Sequence, residues 1–246
     1  MDNITSLANE FHSDKGTVWS YKHRYSCLYD LLFWHYRDAP INFLELGLAV
    51  GGPDSIDGRL ERTVASPSVA MWLAYFRKAR IFGFDISDFS HIRHERFTFV
   101  QGDAGARRDL EAVAGAASHF DIVIDDASHA SYHQQLSFKT LWPSLAAGGI
   151  YIIEDLHWQS DLYEASMPRV PLTRDFLVKW FEHGQYEPNV IFSHEDMVSF
   201  ASEIETFAAF PAFNDGRDPA YRRPDNSAKL IVMRKRAESQ PSPHFT

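Results

Sequence analysis

Hydrophobic positions along this chain recur at two periods, and the switch between them outlines the fold. Tyr25, Leu28, Tyr29, Leu32, Phe33 and Tyr36 fall three or four residues apart, which predicts a helix packed through an aromatic stripe. Five short, mostly apolar runs follow: Ile41–Leu46, Ile81–Phe84, Phe97–Val100, Asp121–Ile124 and Ile150–Ile153. Apolar runs of this length without alternation need both faces covered, as in buried parallel strands. Helical sequence separates them. Ser66-Pro67-Ser68 offers a serine cap and an early proline, and Met71, Trp72, Tyr75 and Phe76 form one apolar face. Residues 105–117 and 131–145 predict two more helices, the second broken by Gly148-Gly149 before the fifth strand. Strands alternating with helices imply a parallel sheet wound with right-handed crossovers.

Beyond Asp155 the pattern loosens. Residues 156–172, with Pro168 and Pro171, read as a loop, and 173–183 as a helix. Met197–Ala201 and Lys229–Met233 read as closing strands, completing seven. A turn-rich loop at 213–226 begins Phe213-Asn214-Asp215-Gly216 and lies where it would line a pocket. The division expected is a helical or lid segment at 1–36, a main domain at 37–236 and a disordered tail at 237–246.

Composition narrows the function classes. The 246 residues fit one elaborated α/β domain. A formal net charge of −9 argues against a nucleic-acid partner, since such proteins present a basic face. No run approaches the roughly 20 apolar residues of a membrane span. The N-terminus lacks the basic-then-apolar order of a signal peptide. The single cysteine, Cys27, excludes an internal disulfide, so the expected compartment is the cytoplasm. A homo-oligomer is compatible with the sequence.

The chemistry gathers after the fourth and fifth strands, in Asp125-Asp126-Ala127-Ser128-His129 and Glu154-Asp155. Open α/β sheets bind ligands beyond the carboxyl ends of their strands. Carboxylates converging there repel one another unless a hard divalent cation neutralises them, and the adjacent histidine is placed for acid–base work. Three earlier strands also end on acids, Glu45, Asp85 and Asp103. Asp85 is positioned either to accept the two hydroxyls of a ribose or to cap the segment after it. Glu45-Leu46-Gly47 with Gly51 departs from the dinucleotide pattern G-x-G-x-x-G, which counts against an oxidoreductase. It is similar instead to the E-x-G-x-x-x-G motif of class I S-adenosylmethionine (SAM) methyltransferases.

In order along residues 5–160 come Ser13-Asp14-Lys15-Gly16, Met71-Trp72 with Tyr75-Phe76, and Gly83-Phe84-Asp85-Ile86. Asp125-Asp126-Ala127-Ser128-His129 with His133, and Gly148-Gly149 through Glu154-Asp155, complete the series. Together they resemble the metal-dependent O-methyltransferases that modify deoxysugars of macrolides and related natural products. The resemblance implies a Rossmann-like class I methyltransferase fold, with a mostly parallel seven-stranded sheet and helices on both faces. It implies SAM and Mg²⁺ as cofactors and a small, glycosylated hydroxyl acceptor. It assigns Mg²⁺ to Asp126, Glu154 and Asp155, and the general base to His129. The cofactor contacts expected are Glu45, Gly47, Gly51, Asp85, Asp103 and Asp125, with His12, Asp14 and Lys15 folding over as an N-terminal lid. Ala127 stands where the family more often has glycine.

His133, four residues after His129, would form a zinc pair only with a third nitrogen or sulfur ligand, and none is evident; a place behind the site or on substrate suits it better. His157 reads as a surface-loop residue or a substrate contact. Rival readings are a catechol-type or other small-molecule methyltransferase and a non-catalytic SAM- or nucleotide-binding accessory protein. The Asp-Glu-Asp set with a histidine favours an aliphatic or sugar hydroxyl over a catechol.

Overall fold

The computed structural model describes residues 3–19, 22–48, 66–157, 161–211 and 229–237. Seven strands form one sheet in the order β3-β2-β1-β4-β5-β7-β6. They are β1 (Asn42–Leu46), β2 (Arg80–Asp85), β3 (Phe97–Gln101), β4 (Phe120–Asp125), β5 (Leu145–Ile153), β6 (Ile204–Phe210) and β7 (Leu230–Lys235). The first five pair in parallel, whereas β7 runs antiparallel to both β5 and β6. Chain order reverses at the β1–β4 junction, and such a reversal opens a crevice at the carboxyl rim of the sheet.

Strand side chains supply two cores, one per face. Phe43, Ile81, Ile122, Ile124 and Ile152 pack against α1 (Ile4–Glu10), α2 (Tyr25–Phe33) and α3 (Pro67–Tyr75). Leu44, Phe82, Val123, Tyr151 and Ile153 face the other way. They meet α4 (Arg107–Ala114), α5 (Ser131–Leu141), α7 (Thr173–Phe181) and α8 (His194–Glu203). Covering both faces explains why these strands are apolar without alternation. The expected start of α3 is present: the Ser66 side chain accepts from the Val69 amide and Pro67 opens the helix. The stripe from Tyr25 to Phe33 is buried as expected, and α1 and α2 complete the same core.

Three expectations are corrected. Met197–Ala201 is helical, inside α8, and the closing strand is β6, beginning at Ile204. Ser193 and Asp196 form a capping box, and Met197 and Phe200 are buried three residues apart, a helical spacing mistaken for a short apolar strand. Gly148-Gly149 lies within β5 and ends no helix. α5 stops at Leu141, followed by a single 3₁₀ turn, Trp142–Ser144, whose Pro143 cannot continue an α-helix. α1 opens the described chain, capped by Asn3 and held by buried Ile4, Leu7 and Ala8. α6 (Asp161–Ser166) interrupts the segment read as a loop. The readings made for 213–226 and the tail from Glu238 lie outside the described residues, as does Gly51.

Candidate active site

The acids sit where the parallel ladder ends. Asp125, last in β4, pairs with Leu46 on one side and Ile153 on the other. The ladder runs one step further on each side: the Asp126 amide donates to Leu46 O (2.9 Å) and the Glu154 amide to Asp125 O (3.0 Å). Asp126, Glu154 and Asp155 therefore leave neighbouring strand ends together. Gly47 makes room for this turn. Its φ is +80°, and a Cβ there would lie 2.0 Å from Asp126 O, so the glycine serves the approach of two protein backbones.

Among the described residues, one ligand atom each from Asp126, His129 and Asp155 lies within 4.8 Å of the other two. His129 Nε2 stands 3.9 Å from Asp155 Oδ2. Both residues hold left-handed backbones, φ 60° and 52°, in a region that non-glycine residues seldom adopt. Asp155 is also surrounded by groups absent from the sequence-derived set. The Tyr25 hydroxyl donates to its Oδ1, His23 Nδ1 is 3.4 Å away and His157 Nδ1 3.7 Å. Burial alone would raise this carboxyl, but His23, His129 and the Tyr25 hydroxyl hold it well below the usual carboxylate range. The buried Lys229 ammonium meets His23 Nδ1 at 2.6 Å, linking β7 to this corner.

Glu154 is held differently. Its Oε2 accepts from Lys15 Nζ at 2.8 Å and its Oε1 from the Tyr29 hydroxyl at 2.5 Å. The same ammonium reaches Asp126 Oδ2 at 2.5 Å and Glu45 Oε1 at 3.5 Å. Lys15 is only 1% exposed. Burial would pull its pKa down, yet Asp126, Glu154 and Glu45 together hold it well above the ordinary value. So the segment read as a lid places its lysine inside the acidic cluster. Tyr25 and Tyr29 were read as core packing alone. A signal for more was available: a buried tyrosine hydroxyl requires a partner, and two tyrosines one turn apart precede a phenylalanine at the next turn.

The described residues assigned to the cofactor lie at or just beyond the carboxyl ends of β1 to β4. Glu45 is fully buried, its Oε2 accepting from the Ser68 hydroxyl at 2.7 Å, and burial pushes its carboxyl up to about 7. Asp125 is buried beside it, pushed up to about 8 by burial. Asp85 Oδ2 accepts from the Leu48 amide and Oδ1 from the Ser87 amide, so of its two expected roles the capping one is present. Asp103 is half exposed and turns its Oδ1 to the Gly105 amide. His133 stands behind, with Nδ1 2.6 Å from Ser128 Oγ and Nε2 4.0 Å from Asp103, and burial pushes its pKa down to about 4. It takes no part in the Asp126–His129–Asp155 group. The two carboxylates of that group suit a hard divalent ion, the His129 ring stands beside them, and Glu154 lies next to them with Lys15 and Tyr29 on its two oxygens.

The sheet order and helices on both faces define a class I methyltransferase fold. A methyltransferase from mycinamycin biosynthesis, MycE, solved with Mg and SAH, superposes on 98% of this chain and 57% of its own with TM-score 0.67 at 24% identity. The form that also contains mycinamycin VI gives TM-score 0.65 at 25% identity. Among curated proteins, the 8-demethyl-8-α-L-rhamnosyl tetracenomycin-C 2′-O-methyltransferase of Streptomyces olivaceus is 37% identical over 153 residues, 62% of this chain and 37% of its own. The mycinamicin VI 2″-O-methyltransferase of Micromonospora griseorubida is 30% identical over 196 residues, 76% of this chain and 46% of its own. The chain thus spans less than half the length of the curated relatives it matches. No family model matches. The chain resembles the sugar O-methyltransferases of macrolide and tetracenomycin pathways. Among the described residues, no helix is long and apolar enough to cross a membrane.

Proposed function

We propose that this protein is a SAM-dependent O-methyltransferase that methylates a hydroxyl, on a sugar, of a small glycosylated natural product, assisted by Mg²⁺. The observation that carries this reading is the convergence of Asp126, His129 and Asp155 at the carboxyl rim of a methyltransferase sheet. In this reading Asp126, Glu154 and Asp155 hold the ion, and Glu45, Gly47, Gly51, Asp85, Asp103 and Asp125 form or support the cofactor side. When bound, SAM supplies the methyl group and Mg²⁺ acidifies and orients the acceptor hydroxyl.

The chain's own groups do the rest. A sugar hydroxyl is a poor nucleophile at neutral pH, so a base must take its proton as the carbon–oxygen bond forms and the methyl carbon–sulfur bond breaks, leaving a neutral thioether. His129 takes it at Nε2, the nitrogen facing Asp155, whose negative charge stabilises the imidazolium. His23 and the Tyr25 hydroxyl help keep Asp155 ionised and oriented, with His157 3.7 Å away. Tyr29 and Lys15 orient Glu154 and offset part of the rise that burial and Asp126 impose on its carboxyl. Fixing both reactants before transfer removes much of the entropic barrier. The 1–36 segment closes the site over the transfer domain at 37–236. The single free cysteine supports a reducing, cytoplasmic setting, and the net charge gives no reason to invoke nucleic acid.

The test is transfer of labelled methyl from SAM to a panel of rhamnosylated and deoxysugar-bearing polyketides, with and without chelator. Labelled glycoside formed only with divalent ion supports the reading, whereas methylation of a catechol in preference to every glycoside replaces it.

A further inference from the structure

We propose that Lys15 is a resident cation of the acidic cluster, which holds the site together before a divalent ion arrives and weakens the ion's grip when it does. This rests on the magnesium reading above. The cluster divides into two halves that share one residue. Glu45, Glu154 and Asp126 surround the Lys15 ammonium at 3.5, 2.8 and 2.5 Å. Asp126, His129 and Asp155 form the other half, with ligand atoms close enough for one ion. Asp126 belongs to both. An ion held by Asp126, Glu154 and Asp155 must share both Asp126 and Glu154 with an ammonium already seated on them.

The ammonium is fixed in place. Ser26 donates to the Lys15 carbonyl at 3.0 Å and Arg24 to that of Gly16 at 3.0 Å, while Ser13 donates to Ala8 O at 2.8 Å. Those bonds tie the lysine to α1 and to the start of α2, and the side chain is buried. Withdrawal would therefore disrupt the N-terminal segment. Two cations a few ångströms apart in a buried site repel strongly, because little water screens them. Without either cation, buried Glu45 and Glu154 and half-buried Asp126 would confront one another. Lys15 is thus a positioning residue that exchanges some ion affinity for a site already assembled.

Lys15→Met keeps the length of the side chain and removes its charge. Mn²⁺ binding to the wild type and this variant, followed by calorimetry and by the Mn²⁺ resonance signal, tests the proposal. The expected result is Mn²⁺ binding about tenfold tighter in Lys15→Met, as removal of a nearby like charge dictates. The melting temperature without ion should fall, and saturating Mn²⁺ should raise it by more than in the wild type. Unchanged or weaker Mn²⁺ affinity in the variant overturns the proposal, because a lysine that only braced Glu154 would give that result. If the variant folds only with ion present, refolding into saturating Mn²⁺ should restore the near-ultraviolet dichroism; no recovery overturns the proposal. A wild type that binds no Mn²⁺ would remove the magnesium reading itself, and this proposal with it.

Discussion

Tyr29 reaches from the buried face of α2 to donate its hydroxyl to Glu154 Oε1 at 2.5 Å, so the aromatic core and the acidic rim share one side chain. Tyr29→Phe keeps the packing and leaves that oxygen without a donor in a site only 1% exposed. The cost expected is about 1–3 kcal/mol of stability, the usual penalty for orphaning a buried polar group. Denaturant midpoints of wild type and variant measure it. A change below a few tenths would mean that Glu154 finds another partner.

His129→Asn separates the chemistry of His129 from its backbone. Asparagine tolerates the left-handed conformation that this position adopts (φ 60°), so the fold should persist while the base is lost. Turnover should drop by about a hundred-fold or more, with SAM affinity nearly unchanged. Comparable turnover in the variant, with His133→Gln inactive, would move the role to the neighbouring histidine.

Gly47→Ala should be among the most damaging small substitutions in the chain. The new methyl would meet Asp126 O at 2.0 Å on a backbone with φ of +80°. Relief requires β1 and β4 to part at the rim, which displaces Asp126. Thermal unfolding should show destabilisation of more than about 2 kcal/mol, since strain and overpacking add. A folded variant with wild-type Mn²⁺ affinity would contradict this role for the glycine.

Much of this was legible in the chain. The apolar runs located the five parallel strands because burial on both faces leaves an unambiguous signature, and the acids at their ends marked the rim. The antiparallel edge was harder. Met197–Ala201 is short, apolar and β-compatible, and only the Ser193–Asp196 cap reveals a helix. Lys15, His23 and Tyr25 lie more than a hundred residues before Asp155, so no local spacing could disclose their arrival at the acids. What pairs Lys15 with Glu154 is the packing of α1 and α2 beside β1, a tertiary event.

His133 gives a pH dependence with a definite sign. Burial lowers its folded-state pKa to about 4, so the native state keeps the ring neutral while the unfolded chain protonates near the ordinary value of about 6.5. Its contribution is fully present above about pH 6.5 and is lost as pH falls towards about 4, by about 3 kcal/mol at the limit. His133→Gln should flatten that part of the stability–pH curve relative to wild type. Parallel curves would show that the ring titrates normally in the native state.

The acceptor oxygen should have an oxygen neighbour. In the proposed reading three protein carboxylates would leave positions on Mg²⁺ open, and two vicinal oxygens could fill them. A vicinal-diol acceptor should therefore react at least tenfold faster than its monodeoxy analogue, the effect of losing one charge-assisted contact. Equal rates would argue against the acceptor chelating the ion.

The central claim is tested most directly by mass analysis of a rhamnosylated polyketide after incubation with SAM, before and after exhaustive chelation. The account predicts a product heavier by one methylene on the sugar, abolished by chelator and restored by Mg²⁺. Methyl transfer that survives complete removal of divalent ions would contradict it.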